Sequence, residues 1–193
     1  MIFPDEESGF FFLIRFLGTL GVDLFFVLSG FLIGGLILRQ IESGKTSFRH
    51  FLYFWIRRWF KTLPNYFLIL FLNIVLLYYL YTPDIDGIGK YFLFLQNFSS
   101  EMPDFFTESW SLSIEEFSYL LGPFLIFLLL FFNVKNKKAV FLGVSIIVIA
   151  VGILNRYSFH LNQELSNYLD WSHNLRKVVI YRIDSIYYGF IGA

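Results

Sequence analysis

Long apolar runs separated by short polar stretches dominate this sequence and restrict what it can fold into. A helix that crosses a bilayer needs about 20 mainly apolar residues. With 56% hydrophobic residues in a chain of 193 and a mean hydropathy of +0.62, the sequence is too apolar for an ordinary water-soluble domain. We therefore predict an all-α, multi-pass transmembrane bundle of about five spanning helices, at residues 22–38, 63–81, 119–134, 139–154 and 178–193.

Two further apolar stretches are too short or too interrupted to cross a membrane. Residues 9–20 contain Arg15 and two glycines, so we expect an interfacial or re-entrant segment there. Residues 90–99 are also apolar but short, and we expect them at the membrane interface. The predicted bundle thus carries one or two interfacial segments.

Basic residues are concentrated on alternate sides of the predicted helices. Residues 39–61 hold six Lys or Arg against one acid, and "KNKK" separates the third and fourth runs. Cytoplasmic loops are rich in Lys and Arg. We therefore predict that residues 39–61 and 135–138 face the cytoplasm, and that residues 83–117 and 155–177 face outside.

Two adjacent carboxylates, Glu115 and Glu116, lie in front of the third run in "WSLSIEEF". One interpretation is structural, because Ser113 followed three residues later by Glu116 forms a capping box. It leaves Trp110, Ser111 and Glu115 unexplained. A carboxylate near the bilayer is costly unless it is paired or lines a wet site. Glu115 is therefore also a candidate for polarising a hydroxyl or transferring a proton.

A third carboxylate, Asp23 in "GVDLFFVLSGFLI", lies just inside the outer end of the first run. Taken alone, it fits an interfacial helix cap as well as a functional group. We expect it at the same membrane face as Glu115. Ser29 and Gly30 lie in mid-helix, where a pair of small residues favours close helix packing.

The basic segment "FWIRRWFKTLP" contains Arg57, Arg58 and Lys61, and we expect Pro64 to open the next helix. The simplest interpretation of these cations is a cytoplasmic anchor. The alternative is a phosphate clamp, because Arg58 and Lys61 are one helical turn apart and can hold an anionic cofactor together.

Arg182 and Asp184 lie inside the last run, in "YRIDSIYYGFIGA". At a spacing of two they pair poorly within one helix, so each is expected to meet a partner on another helix. Function and structural pairing remain equally open. His50, His160 and His173 are expected in loops without metal-ligand spacing, and the chain has no cysteine, so we expect no metal site.

Taken in order, "GVDLFFVLSGFLI", "RRWFKTLP", "WSLSIEEFSYLLGP" and "RIDSIYYGFIGA" resemble the membrane acyltransferase type 3 family over nearly the whole chain. That family includes bacterial O-acetyltransferases that act on peptidoglycan and other glycans. The resemblance implies a larger helical bundle that takes an acyl group from cytoplasmic acyl-CoA and delivers it to a hydroxyl. It also implies that Arg58 and Lys61 engage the CoA phosphates and that Glu115 is the acid of the family's Trp-Ser-Leu-Ser motif.

The sequence departs from the family pattern at two points. Lys61 stands where the family normally has an arginine, which keeps the charge but loses bidentate geometry. The family's first helix, with a basic residue and a histidine considered catalytic, has no counterpart in the sequence. We therefore expect residues 1–193 to form one partial membrane acyltransferase domain, truncated at both ends. In full-length relatives, an appended extracytoplasmic domain or a partner subunit is a further expectation.

The predicted function is an acyltransferase of the inner (cytoplasmic) membrane that moves an acyl group, most simply acetyl, from acyl-CoA to a cell-surface carbohydrate. Glu115 and Asp23 are the predicted catalytic groups, and Arg58, Lys61 and Arg57 are predicted to bind the donor. The predicted substrate-site or supporting residues are Trp110, Ser111, Ser113, Glu116, Arg182 and Asp184.

The expected partners of the protein are membrane lipid and the carbohydrate acceptor, and we expect no nucleic acid. Two alternatives belong to other functional classes. A transporter-like carrier would show paired halves with matching interrupted helices, which are not evident in the sequence. A non-catalytic membrane remnant fits the missing histidine.

Overall fold

The computed structural model describes residues 9–80, 87–132, 134, 136–163, 165 and 167–193. A 3-10 helix (Asp104–Ser109) precedes the fourth α-helix, and a π-helical turn (Ser172–Arg176) follows the sixth. The α-helices in these ranges are α1 (Gly9–Glu42), α2 (Phe48–Leu80), α3 (Ile88–Phe92), α4 (Trp110–Leu130), α5 (Lys137–Asn162), α6 (Tyr168–Trp171), α7 (Val179–Arg182) and α8 (Ser185–Ile191).

Four helical stretches in the described ranges are long and apolar enough to cross a membrane: Leu13–Glu42, Phe48–Leu80, Asp104–Leu130 and Lys137–Asn162. The shortest has 26 residues. At 1.5 Å per residue this corresponds to about 39 Å, against a hydrocarbon core of about 30 Å. The predicted all-α membrane bundle is confirmed.

Residues 9–20 are the first turns of α1 and not the separate interfacial segment that we predicted. The prediction was wrong because Arg15 and the glycines interrupt the apolar run without breaking the backbone. The Thr19 hydroxyl donates a hydrogen bond to the Arg15 carbonyl at 2.9 Å, within the same helix. The Arg15 guanidinium lies 5.4 Å from the centroid of the Tyr168 ring.

The predicted cytoplasmic loop at residues 39–61 is largely helical. Helix α1 continues to Glu42 and α2 already begins at Phe48, so only residues 43–47 connect them. His50, predicted in a loop, is in the first turn of α2, with its Nδ1 2.8 Å from the Ser47 hydroxyl.

Pro64 lies inside α2 and does not open it. Proline removes one helical hydrogen bond, but packing on both sides of it keeps the two halves of the helix continuous. Phe51 and Trp55 are buried before Pro64, and Tyr66 and Leu70 are buried after it. Tertiary contacts therefore override the local signal for a helix start.

The fifth predicted span, residues 178–193, is divided into α7 and α8. Helix α8 has seven residues, about 10 Å of helix, which is too short to cross. Helix α8 packs directly on α1 at two glycines. A Cβ at Gly30 would clash with the Ile186 carbonyl, and a Cβ at Gly189 would clash with the Val27 carbonyl, so the two backbones are in close contact. The close packing predicted at Ser29 and Gly30 is thus found, with α8 as the partner.

Lysines join the end of α1 to the start of α5. The Lys138 ammonium lies 2.8 Å from a Glu42 carboxylate oxygen, and Lys137 donates to the Ile41 carbonyl at 3.2 Å. These contacts place residue 42 and residues 137–138 at one end of the bundle. The predicted common face of these two segments is thus found, and its assignment to the cytoplasm stays a prediction.

Trp55 supports α4 at its internal proline. Pro123 has no N–H for the carbonyl of Tyr119, four residues earlier. The Trp55 indole donates to that carbonyl at 2.9 Å. A backbone carbonyl in an apolar bundle needs such a donor, since little water is available to replace it.

Replacing Trp55 with Phe is expected to destabilise the protein by about 1–3 kcal/mol, the cost of leaving a buried carbonyl without its donor. The free energy of unfolding in detergent is the measurement. The same replacement in a Pro123→Ala background should cost clearly less, because residue 123 then supplies the N–H. Equal costs in both backgrounds would show that the indole acts only by packing.

A buried ionic cluster as the candidate functional site

Helices α2 and α4 are antiparallel, and their register determines which charges meet. Phe48 packs near Phe127, with ring centroids 5.6 Å apart, whereas Tyr66 packs near Phe106 at 6.0 Å. Arg58 lies between these contacts, about 15 Å along α2 from its first residue. Arg58 thus lies inside the bundle, opposite the start of the long apolar part of α4.

Arg58 there meets both adjacent carboxylates. Its Nη2 atom lies 4.0 Å from an oxygen of Glu115 and 3.9 Å from an oxygen of Glu116. The three side chains are only 18%, 11% and 8% exposed, respectively. Trp59 donates from its indole to the other Glu116 oxygen at 3.1 Å. One guanidinium thus faces two carboxylates inside the bundle.

This arrangement corrects the predicted separation of these groups. We placed Arg58 on the cytoplasmic side and Glu115 on the outer side of the membrane, but they are in contact. The reason is that α2 begins at Phe48, so the basic segment is part of the spanning helix. The aliphatic part of an arginine side chain can pack in an apolar setting while its charge finds an acidic partner.

The predicted capping box is also wrong. Helix α4 begins at Trp110, so Ser113 lies inside its first turns. The Ser113 hydroxyl is 3.4 Å from the Ser109 carbonyl and accepts a hydrogen bond from the Gln96 amide at 2.8 Å. Glu116 binds Trp59 and not a helix end. The two carboxylates therefore do not serve to cap α4.

Tyr119 and Ser29 extend the cluster towards α1. The Arg58 guanidinium carbon lies 3.5 Å from the centroid of the Tyr119 ring. The Tyr119 hydroxyl shares a 2.5 Å hydrogen bond with the Ser29 hydroxyl. Our sequence analysis missed Tyr119 and Trp59 as site residues. The available signals were the four-residue spacing from Glu115 to Tyr119 and the position of Trp59 beside Arg58.

The other two predicted donor-binding residues do not join Arg58 in one clamp. Lys61 is exposed and lines an open groove of about 390 Å³ together with Tyr66, Phe106 and Leu112. Arg57 is exposed, with its guanidinium carbon 5.6 Å from the Tyr53 ring centroid. Donor binding by these two residues stays a prediction.

Asp23 is paired with Arg182, and Glu115 is paired with Arg58. Among the described residues, no hydrogen bond or ion pair joins Asp23 to Glu115. Nearby, Trp110 is buried, with its ring in an edge contact with Phe26 at 5.8 Å. Ser111 is half-buried in the first turn of α4. The two predicted catalytic carboxylates thus belong to different ion pairs.

Asp184 is fully buried and binds Arg156 of α5. Two nitrogens of that guanidinium each lie 2.7 Å from one Asp184 oxygen, and one of them also donates to the Tyr181 carbonyl at 2.6 Å. The expectation that Arg182 and Asp184 each meet a partner on another helix is confirmed. The bidentate geometry identifies Asp184 as a support that holds α7 and α8 against α5.

The three histidines lie in three different elements, α2, α5 and the π-helical turn. His160 lies in the last turn of α5, which corrects its predicted loop position. His173 lies in the π-helical turn, with its Nδ1 3.6 Å from a Glu101 oxygen. Within the described ranges, no group of three His, Cys, Asp or Glu residues could hold a metal ion.

Comparison with known proteins identifies the family of this chain. The family model for the acyltransferase domain (Acyl_transf_3) matches residues 2–193. The peptidoglycan O-acetyltransferase OatA of Listeria monocytogenes is 34% identical over 156 residues, covering 72% of this chain and 24% of that protein. The O-acetyltransferase OatA of Staphylococcus aureus strain NCTC 8325 is 35% identical over 156 residues, covering 71% and 25%.

The chain therefore spans about a quarter of the length of the curated relatives it matches. No solved structure matches it. The family match over nearly all residues and the order of the sequence motifs indicate the same family. This chain belongs to the acyltransferase domain family of membrane proteins.

Proposed function

We propose that the protein works in the cytoplasmic (inner) membrane as an O-acetyltransferase, moving an acetyl group from acyl-CoA to a hydroxyl of a cell-wall carbohydrate. Its family and the names of its relatives support the reaction class. The observation that carries the proposal is the pair of buried carboxylates, Glu115 and Glu116, sharing the guanidinium of Arg58.

The proposed reaction needs a proton acceptor and a stabiliser of negative charge. The acceptor hydroxyl oxygen forms a bond to the acyl carbon, the bond from that carbon to the CoA sulfur breaks, and the hydroxyl proton passes through a carboxylate to the thiolate. A carboxylate close to the reacting hydroxyl supplies the first role, and a nearby guanidinium supplies the second.

Glu115 is the better proton acceptor of the two carboxylates. Glu116 already accepts the indole hydrogen bond of Trp59 at 3.1 Å. Among the described residues, the charged partner of Glu115 is Arg58, at 4.0 Å. The Nε atom of Arg58 is buried without a hydrogen-bond partner in the described part of the chain. In the proposed role, Glu115 takes the proton while Arg58 stabilises the developing oxyanion.

The groove beside Lys61 is the proposed place for part of the donor. It combines the Lys61 ammonium with polar side chains of Thr62 and Asn65 and an apolar wall that includes Leu112. Leu112 is three residues before Glu115 on α4, so the groove and the cluster are one helical turn apart. A volume of about 390 Å³ suits part of a ligand of drug size.

Replacing Lys61 with Gln should raise the KM for acetyl-CoA about tenfold and leave kcat nearly unchanged, because one phosphate contact is lost. Lys61→Arg should keep the KM or lower it, since a guanidinium binds phosphate in a bidentate manner. Steady-state kinetics on membranes gives both constants, with Lys45→Gln in the α1–α2 connection as the control. An unchanged KM in Lys61→Gln would remove Lys61 from the donor site.

The proposed function is tested by following labelled acetyl from acetyl-CoA into membrane glycans. Cells that express the complete reading frame containing this chain are compared with cells that lack it. We expect the label to be bound to the glycan through a base-labile ester, and only in the cells that express the gene. Movement of a small molecule without ester formation would favour a transporter-like carrier. The absence of both ester formation and transport would favour a non-catalytic remnant.

A further inference from the structure

A second ionic cluster lies where four elements meet, and the proposed reaction does not use it. We call it the arginine cluster, and define it as Arg176 of the π-helical turn, Arg182 at the end of α7, Asp23 of α1 and Trp110 at the start of α4. Asp23 is 19 residues before Glu42 on α1, or about 28 Å along the helix axis. The arginine cluster is therefore far from the end of the bundle that carries the Lys138–Glu42 pair.

The arginine cluster contains more positive than negative charge. Two guanidinium groups face one carboxylate, and Asp23 is already hydrogen-bonded to Arg182. Arg176 instead stacks on an aromatic ring, with its guanidinium carbon 4.9 Å from the Trp110 ring centroid. One positive charge thus has no carboxylate of its own in this cluster.

Both guanidinium groups also have unused hydrogen-bond donors. Arg176 is only 8% exposed, and its Nε has no hydrogen-bond partner among the described residues. The Nε of Arg182 is likewise buried and unpartnered in that part of the chain. Leaving a buried charged donor unpaired is costly, and a bound oxyanion would remove that cost.

The electrostatic environment of Arg176 agrees with this description. Burial and the neighbouring charge of Arg182 lower the pKa of Arg176 below its usual value, and Tyr168 and Asp23 offset only part of that effect. A ligand can nevertheless reach the arginine cluster from the protein surface, because the Asp23 side chain is 40% exposed and that of Arg182 is 17% exposed.

We propose that Arg176 and Arg182 form an oxyanion-binding site that holds a carboxylate or phosphate group of a substrate. Planar guanidinium groups bind both oxyanions through paired N–H donors. The substrate assignment rests on the proposed acetyl transfer, in which either the glycan acceptor or the CoA donor could carry the oxyanion. Binding of a simple oxyanion does not depend on that reaction, so the two ideas can fail separately.

The first experiment measures binding of inorganic phosphate to the purified 193-residue chain in detergent. Phosphate is titrated against chloride at constant ionic strength, and the thermal midpoint and tryptophan fluorescence are followed, because Trp110 contacts Arg176. A ligand that binds only the folded state raises the midpoint in a saturable manner. We expect saturation with phosphate and none with chloride.

Arg176→Gln should weaken phosphate binding at least about tenfold, the loss of one charge-assisted contact. Arg49→Gln, an exposed arginine in the first turn of α2 away from the arginine cluster, is the matched control and should bind like the unmodified chain. Equal binding by Arg176→Gln, or no difference between phosphate and chloride, would overturn the site.

Arg176→Lys covers the case in which Arg176→Gln does not fold. It keeps the positive charge and loses the planar fork, so phosphate binding should weaken while the midpoint without phosphate stays close to that of the unmodified chain. Undiminished binding in this folded variant would also contradict the proposal.

Competition with bound phosphate distinguishes the two substrate sources. A peptidoglycan fragment with free carboxylates is compared with an uncharged glycan of similar length and with CoA. Displacement by the charged glycan alone assigns the site to the acceptor, and displacement by CoA alone assigns it to the donor. Displacement by neither would overturn the substrate role.

Discussion

Replacing Arg58 with Met is expected to destabilise the protein by about 3–5 kcal/mol, the cost of removing one partner from a buried ionic group. The replacement leaves Glu115 and Glu116, which are 11% and 8% exposed, without their shared cation. The free energy of unfolding in detergent is the direct measurement.

Two controls separate lost charge from lost packing at Arg58. Arg57→Met removes an exposed arginine one position earlier and should change stability by less than about 0.5 kcal/mol. Adding Glu115→Gln and Glu116→Gln to Arg58→Met should recover most of the loss, because no uncompensated charge remains. If the triple variant is as unstable as Arg58→Met alone, packing and not charge explains the effect.

Replacing Gly30 with Val should be the most damaging change in the contact between α1 and α8, and should cost about 3 kcal/mol or more. A Cβ at this position would collide with the backbone carbonyl of Ile186, which cannot move aside as a flexible side chain could. We expect α8 to separate from α1 and the Arg182–Asp23 pair to be lost with it.

Gly35→Ala is the matched control in the same helix, since a Cβ there meets no atom within 4 Å. It should be neutral or slightly stabilising, because alanine favours helix more than glycine. Limited proteolysis near residues 183–185 and thermal unfolding together measure the effect. A Gly30→Val variant as resistant and stable as Gly35→Ala would contradict the close contact of the two helices.

The sequence predicted the fold class and most of the spanning segments, because an apolar run of sufficient length has few other ways to satisfy its backbone. It did not predict where α2 begins. The basic residues before Pro64 are typical of a cytoplasmic loop, but Phe51 and Trp55 in the same segment are buried against α4 and keep it helical. That burial is a tertiary property.

The partners of the charged residues were predictable only in part. The spacing of Arg182 and Asp184 indicated separate partners on other helices, and both partners were found. The meeting of Arg58 with Glu115 and Glu116 could not be predicted, because it depends on the register between α2 and α4. The motifs indicated the candidate site residues, and the packing determined which of them meet.

The central claim, that Glu115 is the proton acceptor beside Arg58, is tested most directly by the acetyl-transfer activity of Glu115→Gln in the complete protein. The amide keeps the shape of the side chain and cannot take the proton, so transfer to glycan should fall about 100-fold or more with unchanged membrane insertion. Glu42→Gln, an exposed glutamate at the end of α1, is the control and should keep full activity. Undiminished transfer by Glu115→Gln would contradict the claim.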